Sequence, residues 1–259
     1  MKPEIRSTII IVIVMFIIFL TFNSCESDRS VSAPGYFILD FDGIDDRVIV
    51  ENPDQGLNAI SNNITIECWI YARSYPNRAP RIVDRSDNKL GEGAGDRFLL
   101  HLFEPDSAVR MNINGNGLSS GPIQLNRWTH IASTYDGQEV CIYLDGSLSR
   151  SMFLSTIIDV QDSALYIGND SNLTIRQFDG YIDELRIWCV AKSQDEIEQD
   201  MNRILGGDDT GLVGYWRMDS GQGQLVVDSA GDNHGTLGLL SEPDMSDPEW
   251  ILWEYPHNH

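Results

Sequence analysis

Basic residues are scarce in this chain: 18 Lys and Arg stand against 39 Asp and Glu, for a formal net charge of -21. No surface of such a chain can neutralise a run of phosphates, which excludes a general nucleic-acid binder. Cysteine is sparse too. Four are present, Cys25, Cys68, Cys141 and Cys189, and none belongs to a C-x-x-C pair, which argues against a zinc site. A nucleophile elbow of the G-x-S-x-G type is missing, and low-complexity tracts are missing as well. No apolar run reaches the ~20 residues that a membrane-spanning helix needs. The run Ile9–Leu20 has twelve.

Lys2 and Arg6 ahead of that run give residues 1–24 the form of a signal peptide. Ser24-Cys25 resembles a bacterial lipobox, in which the Cys is lipidated and becomes the new N-terminus; Phe22 stands where Leu is commoner. The resemblance implies lipidation of Cys25 and anchorage in the bacterial cell envelope, with secretion or an uncleaved anchor as alternatives. Residues 25–35 are polar beyond the Cys and read as a tether, so membrane contact is expected only through this N-terminal segment. Residues 36–259 have the length of one domain with a single core.

Two apolar runs, Trp128–Tyr135 and Glu139–Leu144, flank Asp136-Gly137, and the second closes on Asp145-Gly146. An Asp-Gly between such runs predicts a hairpin, because Gly accepts the positive φ of the turn. Val140, Ile142 and Leu144 share one face of the second run, Cys141 and Tyr143 the other. Bulk on both faces predicts a strand within a two-layer protein. Further strands are expected at Tyr36–Phe41, Arg47–Val50, Ile64–Tyr71, Arg81–Asp84, Phe98–Phe103, Ala108–Asn114, Ser151–Leu154, Ala164–Gly168, Phe178–Trp188 and Gly211–Met218. Ser193 with Glu196 forms a capping box, and Ile197, Met201 and Ile204 share a face, so one short helix is expected near Ser193–Leu205. The fold class is all-β: two antiparallel sheets packed as a sandwich.

Four motifs succeed one another along these strands: F-D-G-x-D-D at Phe41–Asp46, I-T-I-E-C-W-I-Y at Ile64–Tyr71, W-x-H-x-A-x-x-Y-D-G leading to Y-L-D-G within Trp128–Gly146, and F-D-G-Y-I-D-E-L-R-I-W at Phe178–Trp188. Together they resemble the LamG-like jelly-roll domains of the concanavalin A-like group, which includes the pentraxins. The resemblance implies a jelly roll over 36–205, with 206–259 supplying strands that complete or extend it. It puts Cys68 where pentraxins hold half of a disulfide. The partner position is Ala132 here, so that bridge cannot form.

The resemblance further implies a non-catalytic role in binding, with a glycan as the leading ligand. A surface protein as partner, or a divergent glycoside hydrolase, are the alternatives. Hydrolysis needs two carboxylates facing one cleft. The E-x-D-x-E signature is absent, the acids Glu196, Glu198 and Asp200 fall on the helix, and Asp183 and Glu184 are adjacent, which in a regular strand sends them to opposite faces. His130 reads as a core histidine and His234 as a turn residue.

Calcium is the cofactor expected, since it takes several oxygens and Asp-rich turns supply them. Two constellations compete. One joins Asp42, Asp45 and Asp46 to Asp179 and Asp183, because the resemblance pairs the first and last strands; turn aspartates capping their own backbone are the plainer reading. The other comes from pentraxin resemblance alone and uses Asp96, Asn169 and Asp170, with Arg97 standing where a ligand Asn is expected. Trp69, Trp128, Trp188 and Trp216 read as core. Tyr75, Trp250, Trp253 and Tyr255 are freer, either to stack on a sugar or to dock on the sandwich.

Overall fold

The computed structural model describes residues 36–253 apart from 52, 54, 87–95, 159–162 and 172–174; the leader, Cys25 and Tyr255 lie outside the described residues. Two eight-stranded sheets face each other, and every pairing is antiparallel. The first runs β10 (Ser147–Phe153), β9 (Glu139–Leu144), β8 (Trp128–Tyr135), β3 (Ile64–Ala72), β12 (Asp179–Trp188), β1 (Tyr36–Asp42), β16 (Glu249–Trp253), with β13 (Leu212–Trp216) also on β12. The second runs β14 (Leu225–Val226), β15 (Gly235–Leu237), β2 (Val48–Val50), β11 (Leu165–Ile167), β4 (Arg81–Ser86), β5 (Asp96–Phe103), β6 (Ala108–Ile113), β7 (Asn116–Pro122). This is the jelly-roll sandwich that the LamG-like resemblance implies.

Period-2 alternation builds the core. Ile64, Ile66, Cys68 and Ile70 of β3 point between the sheets, and Phe98, Leu100 and Leu102 of β5 meet them from the other layer. Trp216 belongs to this core, but Trp69, Trp128 and Trp188 do not: all three are buried on the outer face of the first sheet. Two α-helices are described, α1 (Gln55–Asn58), which the sequence pattern does not announce, and α2 (Gln194–Asp200). The Ser193 capping box forms as expected, yet α2 ends at Asp200, and Ile204 is exposed rather than packed. Ile197 alone of the three apolar positions is fully covered, against Ala132 and Tyr143.

Strand β7 has no counterpart in the sequence pattern. Asn114 and Gly115, at φ 47° and 77°, form a two-residue turn that folds it back on β6. The C-terminal segment enters both layers: β13 and β16 join the first sheet, β14 and β15 the second. Asp228 organises its turn, its carboxylate accepting from the amides of Tyr215, Ala230 and Asn233, while the Trp216 indole donates to the Asn233 carbonyl at 2.8 Å. Cys68, Cys141 and Cys189 are free thiols.

Strand β12 is irregular at its centre. Against β3 its register slips between Asp183 and Arg186, and Glu184 takes φ 51°, so two residues bulge where one is opposed. On the other edge, β1 pairs with Asp179–Ile182 and β13 takes over at Leu185.

Candidate functional site

The outer face of the first sheet is divided in two. Over β8, β3 and the C-terminal half of β12, α2 and the chain after it form a lid. Arg186 donates to the carbonyls of Asp200 and Arg203, Lys192 pairs with Asp200, and the Trp69 indole donates to the Met201 carbonyl at 2.8 Å. These contacts satisfy carbonyls that a helix end leaves without partners. Beneath the lid Glu67 is fully buried, its Oε1 accepting from the Trp188 indole at 2.9 Å with Arg186 at 3.6 Å and Lys192 at 3.9 Å. His130 is buried here too, edge-on to Trp69, on the outer face rather than in the core between the sheets.

The other half is open. Register lines up Glu249 of β16, Asp40 of β1, Tyr181 of β12, Tyr71 of β3 and Trp128 of β8 as one row across five strands. The rings gather accordingly: Tyr181 lies 5.2 Å from Trp253, 5.3 Å from Tyr71 and 6.0 Å from Trp128, centroid to centroid. Tyr71, Tyr181 and Trp253 are only half-buried. Trp253 reaches the row because β16 pairs with β1; Trp250, the other described tail aromatic, turns the other way and donates to the Gly223 carbonyl.

The next row along is acidic. Asp42 lies opposite Asp179, as the two Phe-Asp-Gly segments suggest. Gly43, at φ 77°, is required here twice over: the turn needs that backbone, and a Cβ would come within 2.8 Å of the Asp179 side chain. Asp42 accepts from the Ile44 amide at 2.7 Å, and Asp46 accepts from the Asp42 amide at 2.6 Å. Arg73 stitches the rows together. Its Nε donates to Asp179 at 2.7 Å, its two terminal nitrogens to Asp40 at 2.6 and 3.1 Å, and one of these also to the Phe41 carbonyl, while the guanidinium sits 5.2 Å over the Tyr181 ring. Burial works against the Arg73 charge, but hydrogen bonds to Asp40 and Asp179 more than offset it and hold its pKa above the ordinary value. An open pocket of about 450 Å³ results, lined by the carboxylates of Asp40, Asp42, Asp46, Asp179, Asp247 and Glu249, with Arg73 and Met245.

The structure therefore brings Asp42, Asp45, Asp46 and Asp179 to one end of the sandwich and leaves Asp183 out. Asp183 stands four residues along β12, roughly 13 Å at strand rise, fully buried beside Tyr36. Burial raises its pKa well above the usual carboxylate range, with the Glu184 charge adding to the effect. The bulge also corrects the expectation that Asp183 and Glu184 face opposite ways. Tyr36 reaches both, donating to Glu184 at 3.4 Å, and Glu184 accepts from the Tyr215 hydroxyl and Arg186 on the same outer face.

The second constellation does not assemble. Asp96 lies opposite Ser86 at one end of β4; its side chain is outside the described residues. Asn169 and Asp170 come after Gly168, whose amide bonds the Ile82 carbonyl near the other end. Asn169 instead donates to the carbonyls of Asp45 and Asp46, so it braces the first constellation from behind, and Arg47 donates to the Asp170 carbonyl. Carboxylate oxygens of Asp42, Asp45 and Asp46 lie within 4.8 Å of one another, the spread allowed around an ion that keeps oxygens at about 2.4 Å. This donor set fits a calcium ion; the Asp96, Asn169 and Asp170 set does not.

Asp46 is 5% exposed, and burial pushes its pKa up to about 7, with the Asp42 amide opposing and the charges of Asp42, Asp45 and Asp40 reinforcing the rise. A carboxyl raised in the folded state stabilises fully below its unfolded pKa, and that contribution is lost as pH rises towards 7. Asp46→Asn is expected to raise stability at pH 8 by about 1–2 kcal/mol, less than full linkage because the turn is open to solvent, and to flatten the profile between pH 4 and 7. Urea unfolding across that range checks it; an unchanged slope refutes the assignment.

The fold has relatives of known structure. A candidate carbohydrate-binding protein of Bacteroides ovatus superposes with a TM-score of 0.62 at 19% identity over 83% of this chain, which spans 61% of that protein's length. The heptameric SAP-like pentraxin of Limulus polyphemus gives 0.53 at 15% identity, covering 79% of this chain and 95% of that one. The CBM40 domain of a Ruminococcus gnavus sialidase, solved with α2,3 sialyllactose, gives 0.51 at 16% identity, covering 64% and 96%. At such identities the likeness is one of fold. Sequence carries it further: the model of the concanavalin A-like lectin/glucanases superfamily matches residues 42–198, the span from the first Asp-Gly turn through most of α2. With that match added to the two-sheet topology, the chain belongs to the concanavalin A-like lectin/glucanases superfamily.

Proposed function

We propose that this protein binds a glycan without cleaving it, on the open half of the first sheet. The observation that carries the reading is the continuous row from Trp128 through Tyr71 and Tyr181 to Asp40 and Glu249, with Trp253 beside it. A sugar presents an apolar ring face and a rim of hydroxyls. Half-buried aromatic rings match the first and acceptor carboxylates the second. The glycan-binding relatives of the same fold support this choice of ligand class. Asp40 and Asp179 are both paired with Arg73 as parts of the wall, which favours binding over hydrolysis. In this reading a lipidated Cys25, the N-terminus once the leader is removed, holds the domain at the cell envelope, and a calcium ion at Asp42, Asp45 and Asp46 stiffens the turn at the pocket's edge.

Titration calorimetry against a glycan panel, with and without chelator, tests the reading. Binding is expected, weakened about tenfold or more by Trp253→Ala, with no release of reducing sugar. If no glycan binds, or the Trp253→Ala protein binds as well as the parent, the row is not a sugar site. A melting temperature unmoved by calcium discards the ion alone.

A further inference from the structure

We infer that the glycan taken by this pocket carries a free, protonated amine, as a deacetylated hexosamine does, and that sialylated or uronic-acid glycans are rejected; this rests on the glycan-binding reading. Charge and donor count both point this way. Six carboxylates line the pocket against one cation, Arg73. That guanidinium has five N–H donors, and four are directed to Asp179, Asp40 at two points, and the Phe41 carbonyl. It is in no position to pair with a ligand's acid group. An anionic sugar would thus enter a strongly negative site with no free counter-charge. A divalent ion on the turn would still leave the carboxylates in excess.

A second observation shows where a donor is wanted. Asp247 lines the pocket, and its Oδ2 accepts from the Gln224 side-chain amide and the Asp244 backbone amide. Its Oδ1 is buried and receives no hydrogen bond from any described residue. A buried acceptor without a donor is costly, and an ammonium group supplies three donors and a positive charge at one point. Glu249 also lines the pocket and lies in no ion pair among the described residues, so it can share that charge. The aromatic row explains why the amine should sit on a sugar. Its rings begin where Arg73 covers Tyr181, one row from the acids, so a ring stacked on Tyr181 or Trp253 presents its substituents to the pocket.

The test is calorimetry on the intact domain with four probes: a glucosamine tetramer, the N-acetylglucosamine tetramer, sialyllactose and spermidine. The glucosamine tetramer is expected to bind at least tenfold tighter than its acetylated counterpart, with the preference shrinking as salt rises from about 0.05 to 0.5 M, a range over which surface charge is progressively screened. Sialyllactose should not bind. Asp247→Asn should shrink the preference by weakening the glucosamine tetramer, and Trp253→Ala should weaken both tetramers alike. Equal affinity for the two tetramers, or any preference for sialyllactose, overturns the inference and leaves the glycan reading standing. Spermidine binding as tightly as the glucosamine tetramer reduces the pocket to a general cation trap and also overturns it. Failure of every sugar overturns both.

Discussion

Glu67→Leu is expected to lower the unfolding free energy by about 3 kcal/mol, read from urea denaturation at pH 7. Glu67 is completely buried on the outer face of the first sheet, with Trp188, Arg186 and Lys192 around Oε1 and the His130 Nε2 3.6 Å from Oε2. Burial pushes its pKa up, while Arg186, Lys192 and the Trp188 indole act to keep it charged. Leucine would fill the space and abandon two cations and an indole donor under the lid. The loss is placed at the low end of the range for a broken buried pair because each cation keeps another carboxylate: Arg186 has Glu184 at 2.6 Å, and Lys192 has Asp200. Glu67→Gln preserves an acceptor for Trp188 and should cost about half as much. Equal costs for the two variants would show that shape, not charge, secures the lid. Since the lid borders the aromatic row through Trp69, glycan affinity should survive Glu67→Gln at temperatures where the protein remains folded.

Gly180→Ala should be as severe, at about 3–5 kcal/mol. Gly180 sits at φ 141°, and a Cβ there would stand 2.0 Å from the Tyr71 carbonyl oxygen and 3.1 Å from the Ala72 Cα. Those atoms are backbone of the paired strand β3 and cannot turn aside. Strands β1, β12 and β3 would have to part at Phe41, Gly180 and Ala72, directly beside the Asp42–Asp179 pair and Arg73. Stability and glycan binding should therefore fall together. Gly223→Ala is the control: it too has positive φ, 78°, but nothing lies within 4 Å, so only backbone strain of about 1 kcal/mol is expected. If both glycines tolerate alanine equally, the close approach of β12 to β3 is not what requires Gly180.

What alternation can and cannot encode separates the legible features of this protein from the hidden ones. Period 2 in Ile64–Tyr71 and Val140–Leu144 states which side chains share a face, and Asp-Gly dipeptides state where the chain turns back. Those two signals, with the ordered motifs, are enough for the class of fold, most strand positions and the Asp42–Asp179 end of the domain. The Ser193 capping box is equally local and equally legible. Alternation says nothing about which strands become neighbours or in what register. Only register sets Glu249, Asp40, Tyr181, Tyr71 and Trp128 in one row, residues drawn from five strands far apart in the chain. Arg73 and Trp253 carry no motif, so nothing local marks their place at the junction of aromatic and acidic rows. The bulge at Glu184 is hidden for a related reason. A non-glycine residue at positive φ has no local signal, and it depends on neighbours that hold it there. Local pattern thus specifies the scaffold and nominates the acidic turns. The packing of distant strands selects which acids meet, leaves Asp183 buried apart from them, and builds beside Asp42 and Asp179 the aromatic surface that gives the pocket its proposed ligand.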